Sequence, residues 1–288
     1  MRVKLQSNFL KISIHSFGAE LCSIKNNSGI EYLWQANKEI WPRRAPVLFP
    51  IVGKLKDNTY IYSHRSFSLS QHGFARDREF ELISQSQNTC CFQIRSDEHS
   101  KTYFPFDFVF EITYELLDDK LITRYKIINP SSRDLLFSVG AHPGFNCPIE
   151  KNETFEDYYL QFETSEFSLT ELSNGLRLNA VKKLHLPDSK LFLNMALFDQ
   201  DALVFENSQI SSLTLRSKKS NRFIKMECQN WPYFGIWTKK DCREFICLEP
   251  WYGIADSATT NQDFAKKEGI CHLAPKKEFN CSFSLQFA

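Results

Sequence analysis

From Phe108 to Leu116 the chain alternates: Phe108, Phe110, Ile112, Tyr114 and Leu116 are large and apolar, and most residues between them are polar. Successive side chains of a β-strand point to opposite faces, so this period of two is what a strand with one buried face requires, whereas a helix would repeat near 3.6. The same alternation returns in Cys281, Phe283, Leu285 and Phe287 against Ser282, Ser284 and Gln286. It returns again in Phe67 and Leu69 between serines, and in Ile224, Met226 and Cys228 against Lys225 and Glu227. Turn-forming clusters punctuate these runs at short intervals, among them Asn26-Asn27-Ser28-Gly29, Asp118-Asp119-Lys120, Ser173-Asn174-Gly175 and Lys218-Lys219-Ser220-Asn221. The expectation is an all-β, mainly antiparallel sandwich or barrel, with 26 Phe filling a thick core between sheets. Only Thr259 to Lys267 reads as a short helix. With no Pro/Gly/Ser-rich linker and no internal repeat, one domain spanning 1–288 is expected.

A chain of 288 residues is long enough to hide roughly 75% of its unfolded surface. Its 35 Lys+Arg against 34 Asp+Glu leave a formal charge of +1 without a long basic run. That argues against a nucleic-acid partner, whose phosphates need neutralising, and against a polybasic membrane anchor. The apolar run Ala45 to Val52 is broken by Pro46 and Pro50 and falls far short of the ~20 residues that span a bilayer. Met1 to Phe9 carries Arg2, Lys4, Gln6 and Asn8 with no apolar stretch behind them, so a cytoplasmic location is expected. The nine cysteines are scattered without any C-x-x-C, and Cys242 and Cys247 are too isolated in sequence for a zinc site. They read as reduced, structural thiols, with no metal and no cofactor.

Dinucleotide, phosphate-loop, esterase and zincin motifs are all absent. Polar residues in unusually apolar surroundings are the remaining lead. Leu135 to Val139 runs strand-like into Gly140 and the His142-Pro143-Gly144 turn, which presents the His142 imidazole where the backbone leaves the sheet. Such a histidine either bonds a turn carbonyl or transfers protons near neutrality. Glu249 follows Phe245-Ile246-Cys247-Leu248 and precedes Pro250-Trp251-Tyr252. It is either an edge carboxylate paired with a cation or a buried base with a raised pKa. Trp251 beside it suits a sugar subsite, where C–H faces stack on rings. His72 and Arg76, four apart around Gly73-Phe74-Ala75, can both turn into one pocket, Arg76 offering its fork to hydroxyls or phosphate; a salt-bridged surface loop is the other reading. Arg43 and Arg44 carry the same ambiguity, and one of the two is expected to face the pocket.

Together these segments resemble the aldose 1-epimerase (galactose mutarotase-like) superfamily and, within it, the LacX-like branch. The resemblance runs through most of the chain: Phe17-Gly18-Ala19-Glu20-Leu21, Trp41, Arg43, Ala45 to Gly53, Gln71 to Arg76, Phe104-Pro105-Phe106, Gly140 to Phe145, and Glu249 to Asp256. It implies a β-supersandwich and the interconversion of α and β anomers of an aldose. It also implies Glu249 as the base on the anomeric hydroxyl, His142 as the acid on the ring oxygen, His72 as a further hold on that oxygen, and Arg76 as a grip on hydroxyls or a phosphate. Asp201 is the candidate for the family's hydroxyl-binding aspartate, and Arg43 or Arg44 for an arginine used by its hexose-phosphate members. The expected ligand is a small sugar or sugar phosphate, bound by a monomer or a homodimer. Two other functions stay open: a sugar-binding protein without turnover, and a hydrolase or lyase, which would need a second carboxylate in the pocket, with Asp199 and Asp201 as candidates.

Overall fold

A computed structural model describes residues 1–288. Two large sheets dominate, and every pairing between their strands is antiparallel. The nine-stranded sheet runs from Lys190–Phe192 at one edge to Glu81–Gln85 at the other. Third from the latter edge, the Phe108–Leu116 alternation forms the strand Val109–Leu117, paired on both sides. The eight-stranded sheet runs from the edge strand Leu176–His185 through Glu166–Ser173, Leu203–Glu206, Tyr233–Trp237, Phe245–Tyr252 and Val139–Ala141 to Val47–Leu48. A three-stranded N-terminal sheet, Arg2–Gln6, Leu10–His15 and Glu20–Asn26, accompanies them.

One core of 67 buried residues runs between the two large sheets and takes in apolar side chains of the N-terminal sheet, among them Val3, Ile12 and Ile24. Phe162 of the larger sheet touches Phe167 and Phe205 of the smaller, with ring centroids 5.0 and 6.3 Å apart. Phe49, Phe104, Phe108, Phe110 and Phe137 make a second aromatic knot. At roughly 1.5–3 kcal/mol for each large apolar side chain removed from water, this burial is the main driving force of the fold.

The Thr259–Lys267 stretch differs from the expectation. It holds a single 3₁₀ turn, Phe264–Lys266, whose start is capped by the Asp263 side chain accepting from the Ala265 N–H. The buried Phe264 docks onto Tyr60, Phe104 and Phe106, and this anchoring of one ring replaces the amphipathic face a longer helix would need. The one α-helix is the four-residue Glu98–Lys101. No helix is long and apolar enough to cross a membrane.

Candidate active site

The strand Phe245–Tyr252 lies in the middle of the smaller sheet and is covered on both faces. Ile246 and Leu248 point into the core between the sheets, while Phe245, Cys247, Glu249 and Trp251 point the other way: Phe245 and Cys247 pack with Trp34 and Cys242, and Glu249 and Trp251 line a cavity of about 400 Å³. This double burial explains why the segment reads as a nearly continuous apolar run, and why the carboxylate within it stands out.

His142 reaches the same cavity from the neighbouring chain segment. Gly140 pairs with Trp251 and Gly144 with Cys247, so His142 lies midway, directly across from Glu249, where the ladder is interrupted. Cross-strand residues put their side chains on one face. His142 Nε2 accordingly stands 3.2 Å from Glu249 Oε2. The imidazole is clamped by rings: Trp41 stacks on it at 5.1 Å, and Trp237 and His72 meet it edge-on at 5.7 and 5.4 Å. Trp41 is held there by its loop, since Gly144 N–H donates to Arg44 O and Trp34 N–H donates to Gly144 O.

On the other flank of Glu249 the partner is Gly235. A Cβ at Gly235 would lie 2.4 Å from the Trp251 ring, and one at Gly140 would lie 2.7 Å from it. The Trp251 indole beside Glu249 therefore depends on two glycines that leave it room.

His72 has φ 67° and is fixed by two bonds to Gly53: its own N–H donates to Gly53 O, and Gly53 N–H donates to His72 Nδ1 at 3.2 Å. A backbone N–H can only donate, so Nδ1 must accept, and the ring's single proton sits on Nε2. Arg76, in the turn Ala75–Asp77, donates from Nη2 to Gln71 O at 2.7 Å. Its Nε is buried without a hydrogen-bond partner. Arg43 forks onto both oxygens of Asp77, at 3.0 and 3.3 Å.

Burial dominates the electrostatics. It holds His142 down at about 3, with the charges of Arg76 and Arg43 acting in the same direction. It lowers His72 well below the usual imidazole range, again assisted by His142 and the two arginines. It pushes the Glu249 carboxyl well up, and Asp201 adds to that. Arg76 falls to about 10 through burial and repulsion from Arg43. Taking charge out of water is disfavoured for the acid and the imidazole alike, so Glu249 and His142 hold one exchangeable proton between them.

Of the residues singled out in the sequence, Glu249, His142, His72, Arg76, Arg43, Asp201 and Trp251 all line the cavity. Arg44 does not. Its backbone N–H is bound by Glu20 Oε1, its guanidinium turns to Gln35 O, and only the neighbouring Arg43 swings inward. Asp201, at φ 115°, spends one oxygen on the N–H of Ala202. Trp237 and Gln71 also line the cavity and went unremarked in the sequence as site residues. Trp237 sits in Tyr233-Phe234-Gly235-Ile236-Trp237, which reads as any buried strand; the glycine within it is the one sign of a close approach. Buried polar atoms without a hydrogen-bond partner cluster here: His142 Nδ1, Trp251 Nε1 and Arg76 Nε. A wall of aromatic rings with a few unsatisfied polar groups suits a ligand with apolar C–H faces and many hydroxyls.

Comparison with known proteins agrees with this geometry. A family model described as aldose 1-epimerase matches residues 1–269. Protein LacX (plasmid) of Lactococcus lactis subsp. lactis is 31% identical over 285 residues, covering 96% of this chain and 95% of that one. Among solved structures, a galactose mutarotase related enzyme from Lactobacillus acidophilus superposes with a TM-score of 0.96 at 35% identity, covering 100% of this chain and 97% of that one. A galactose mutarotase-like protein from Lactobacillus casei gives a TM-score of 0.92 at 28% identity, with both chains covered in full.

Proposed function

The chain belongs to the aldose 1-epimerase family, and from that premise we propose that it is a mutarotase, interconverting the α and β anomers of a hexose or hexose phosphate without a cofactor. The observation that carries the reading is the cross-strand contact of His142 and Glu249, 3.2 Å apart. Opening a cyclic hemiacetal removes a proton from O1 and delivers one to the ring oxygen. Those two oxygens share one carbon, so base and acid must stand side by side. Glycoside hydrolysis instead uses two carboxyl groups roughly 5 Å or more apart.

In the productive tautomer the shared proton is on His142 and the charge is on Glu249. The carboxylate takes the O1 proton, the O1–C1 bond becomes a carbonyl, the bond from C1 to the ring oxygen breaks, and His142 protonates the departing oxygen. The pair is then a neutral acid beside a neutral imidazole, the form that burial favours, so the open-chain aldehyde is matched to the low-energy state of the protein. Rotation about C1–C2 presents either carbonyl face, and the same steps in reverse close the ring. His72, with its proton on Nε2, supplies a second donor to the ring oxygen. Trp251 and Trp41 offer stacking surfaces, Asp201 a hydroxyl acceptor, and Arg76 and Arg43 donors to hydroxyls or to a phosphate.

The test is mutarotation of freshly dissolved α-glucose, α-galactose and their 6-phosphates, followed by polarimetry or NMR exchange, with wild type and Glu249→Gln side by side. Acceleration by wild type alone supports the reaction and its base. Saturable sugar binding with no acceleration of any of the four sugars replaces the enzyme with a sugar-binding protein.

A further inference from the structure

One buried nucleophile beside the proposed acid and base has no part in this chemistry. Cys247 is wholly buried, two residues before Glu249 and on the same face of the strand. The ligand atoms of Cys247, His142 and Glu249 all lie within 4.8 Å of one another. Spacing in the sequence conceals this group, because its histidine comes from the cross-strand segment.

We propose that His142, Cys247 and Glu249 form a binding site for a soft divalent cation of the zinc class, and that its occupancy switches the site off. Three arguments converge. A thiolate and an imidazole with one carboxylate oxygen are borderline-soft ligands that favour zinc over magnesium or calcium, and three protein ligands with a fourth position open to a cavity is a common zinc arrangement. The charges balance: a divalent ion with one thiolate, one carboxylate and a neutral imidazole is neutral overall, which suits a buried site. And Glu249 Oε2, in a residue only 2% exposed, already stands 3.2 Å from His142 Nε2, so two of the three ligand atoms are side by side before any ion binds. Binding releases the Cys247 thiol proton and the proton shared by Glu249 and His142 to solvent, leaving the metal bonded to sulfur, nitrogen and oxygen. Because the ion takes the atoms assigned above as base and acid, its inhibitory effect rests on the mutarotase reading; its binding does not.

The experiment uses chelator-treated full-length protein and two readouts. Titration with Co²⁺ is followed by absorption, and a thiolate-to-cobalt charge-transfer band is expected in wild type and is expected to be missing in Cys247→Ser. Mutarotation is then measured against Zn²⁺, each protein relative to its own metal-free rate. Zn²⁺ should inhibit wild type reversibly on addition of EDTA, Mg²⁺ should not, and Cys247→Ser should need on the order of tenfold more Zn²⁺ or higher. Absence of the charge-transfer band in wild type at saturating Co²⁺ overturns the site without recourse to any variant. Equal Zn²⁺ sensitivity of wild type and Cys247→Ser overturns the role of the thiol, and Cys247→Ala repeats that comparison should the serine variant not fold. A metal-free wild type that accelerates no sugar yet gives the cobalt band refutes the mutarotase reading and leaves the cation site standing.

Discussion

His142 and Glu249 are cross-strand neighbours: the pairings of Gly140 with Trp251 and of Gly144 with Cys247 bracket them, and Nε2 and Oε2 stand 3.2 Å apart. The sheet register, more than any loop, sets the distance between the proposed acid and base. A one-residue slip would send one of them to the core face, so the hydrophobic pattern that fixes register also fixes the geometry of the proposed pair.

Glu249→Gln keeps the volume of the side chain and removes its basicity. The rate of mutarotation should fall by a factor on the order of 10²–10⁴, the usual contribution of general acid–base catalysis, while the fold and saturable sugar binding persist. His142→Asn should lose activity on the same scale. NMR exchange rates with matched thermal melts check both; a near wild-type rate in Glu249→Gln removes that residue from the role of base.

Buried histidines also set the acid stability. His72 and His142 have folded pKa values below the unfolded imidazole value, His142 at about 3, so between roughly pH 6.5 and 4.5 the unfolded chain takes up two protons that the native site refuses. Glu249 acts with opposite sign: its folded pKa lies above its unfolded value, so in that window the native state keeps one proton that the unfolded chain has released. The net uptake on unfolding is one proton, and stability should be lost on acidification at about 1.4 kcal/mol per pH unit. In Glu249→Gln the offset is gone and the slope should be about twice as steep. Urea unfolding of chelator-treated protein across this window measures both slopes, and equal slopes contradict the raised Glu249 pKa.

Much of this was legible in the residues, and what was not has physical reasons. Alternation exposed the strands because each half-buried strand must separate polar from apolar side chains. His142 and Glu249 stood out as polar groups in apolar runs. The choice between Arg43 and Arg44 was hidden, because it is made by Glu20, distant in sequence, which holds the backbone N–H groups of Arg44 and Ala45. Trp237 gave no signal because a ring clamping the histidine and a ring filling a core look alike in a strand. Thr259–Lys267 misled because Phe264 is held by three distant aromatic residues, a tertiary contact that no local periodicity records.

Gly235 faces Glu249 across the other side of the strand, and the Trp251 ring occupies the space a side chain would take. Gly235→Ala places a Cβ 2.4 Å from ring atoms, so the indole must move. Overpacking of this kind costs about 1–3 kcal/mol, and here it also displaces the stacking surface beside the base. The expected result is a lower melting temperature together with a raised KM for sugar. A variant as stable and active as wild type would show that the indole has another place to go.

Arg43 stands close enough to Arg76 to disfavour its charge, and Asp77, forked onto Arg43 and 3.8 Å from Arg76 Nε, offsets that repulsion only in part. Arg76 Nε is buried with no acceptor. An anionic substituent on the sugar would relieve both conditions, whereas a hydroxyl would satisfy the donor and leave the repulsion. Hydrogen bonds to charged groups contribute about 1.5–3 kcal/mol, or roughly ten- to a hundredfold in affinity. Arg76→Ala should therefore raise KM for hexose 6-phosphates by about that factor, and raise it less for the free hexoses, with kcat changed little in either case. Inorganic phosphate should compete with sugar in wild type and lose that effect in the variant. Equal losses on phosphorylated and free sugars would assign Arg76 to the hydroxyls alone.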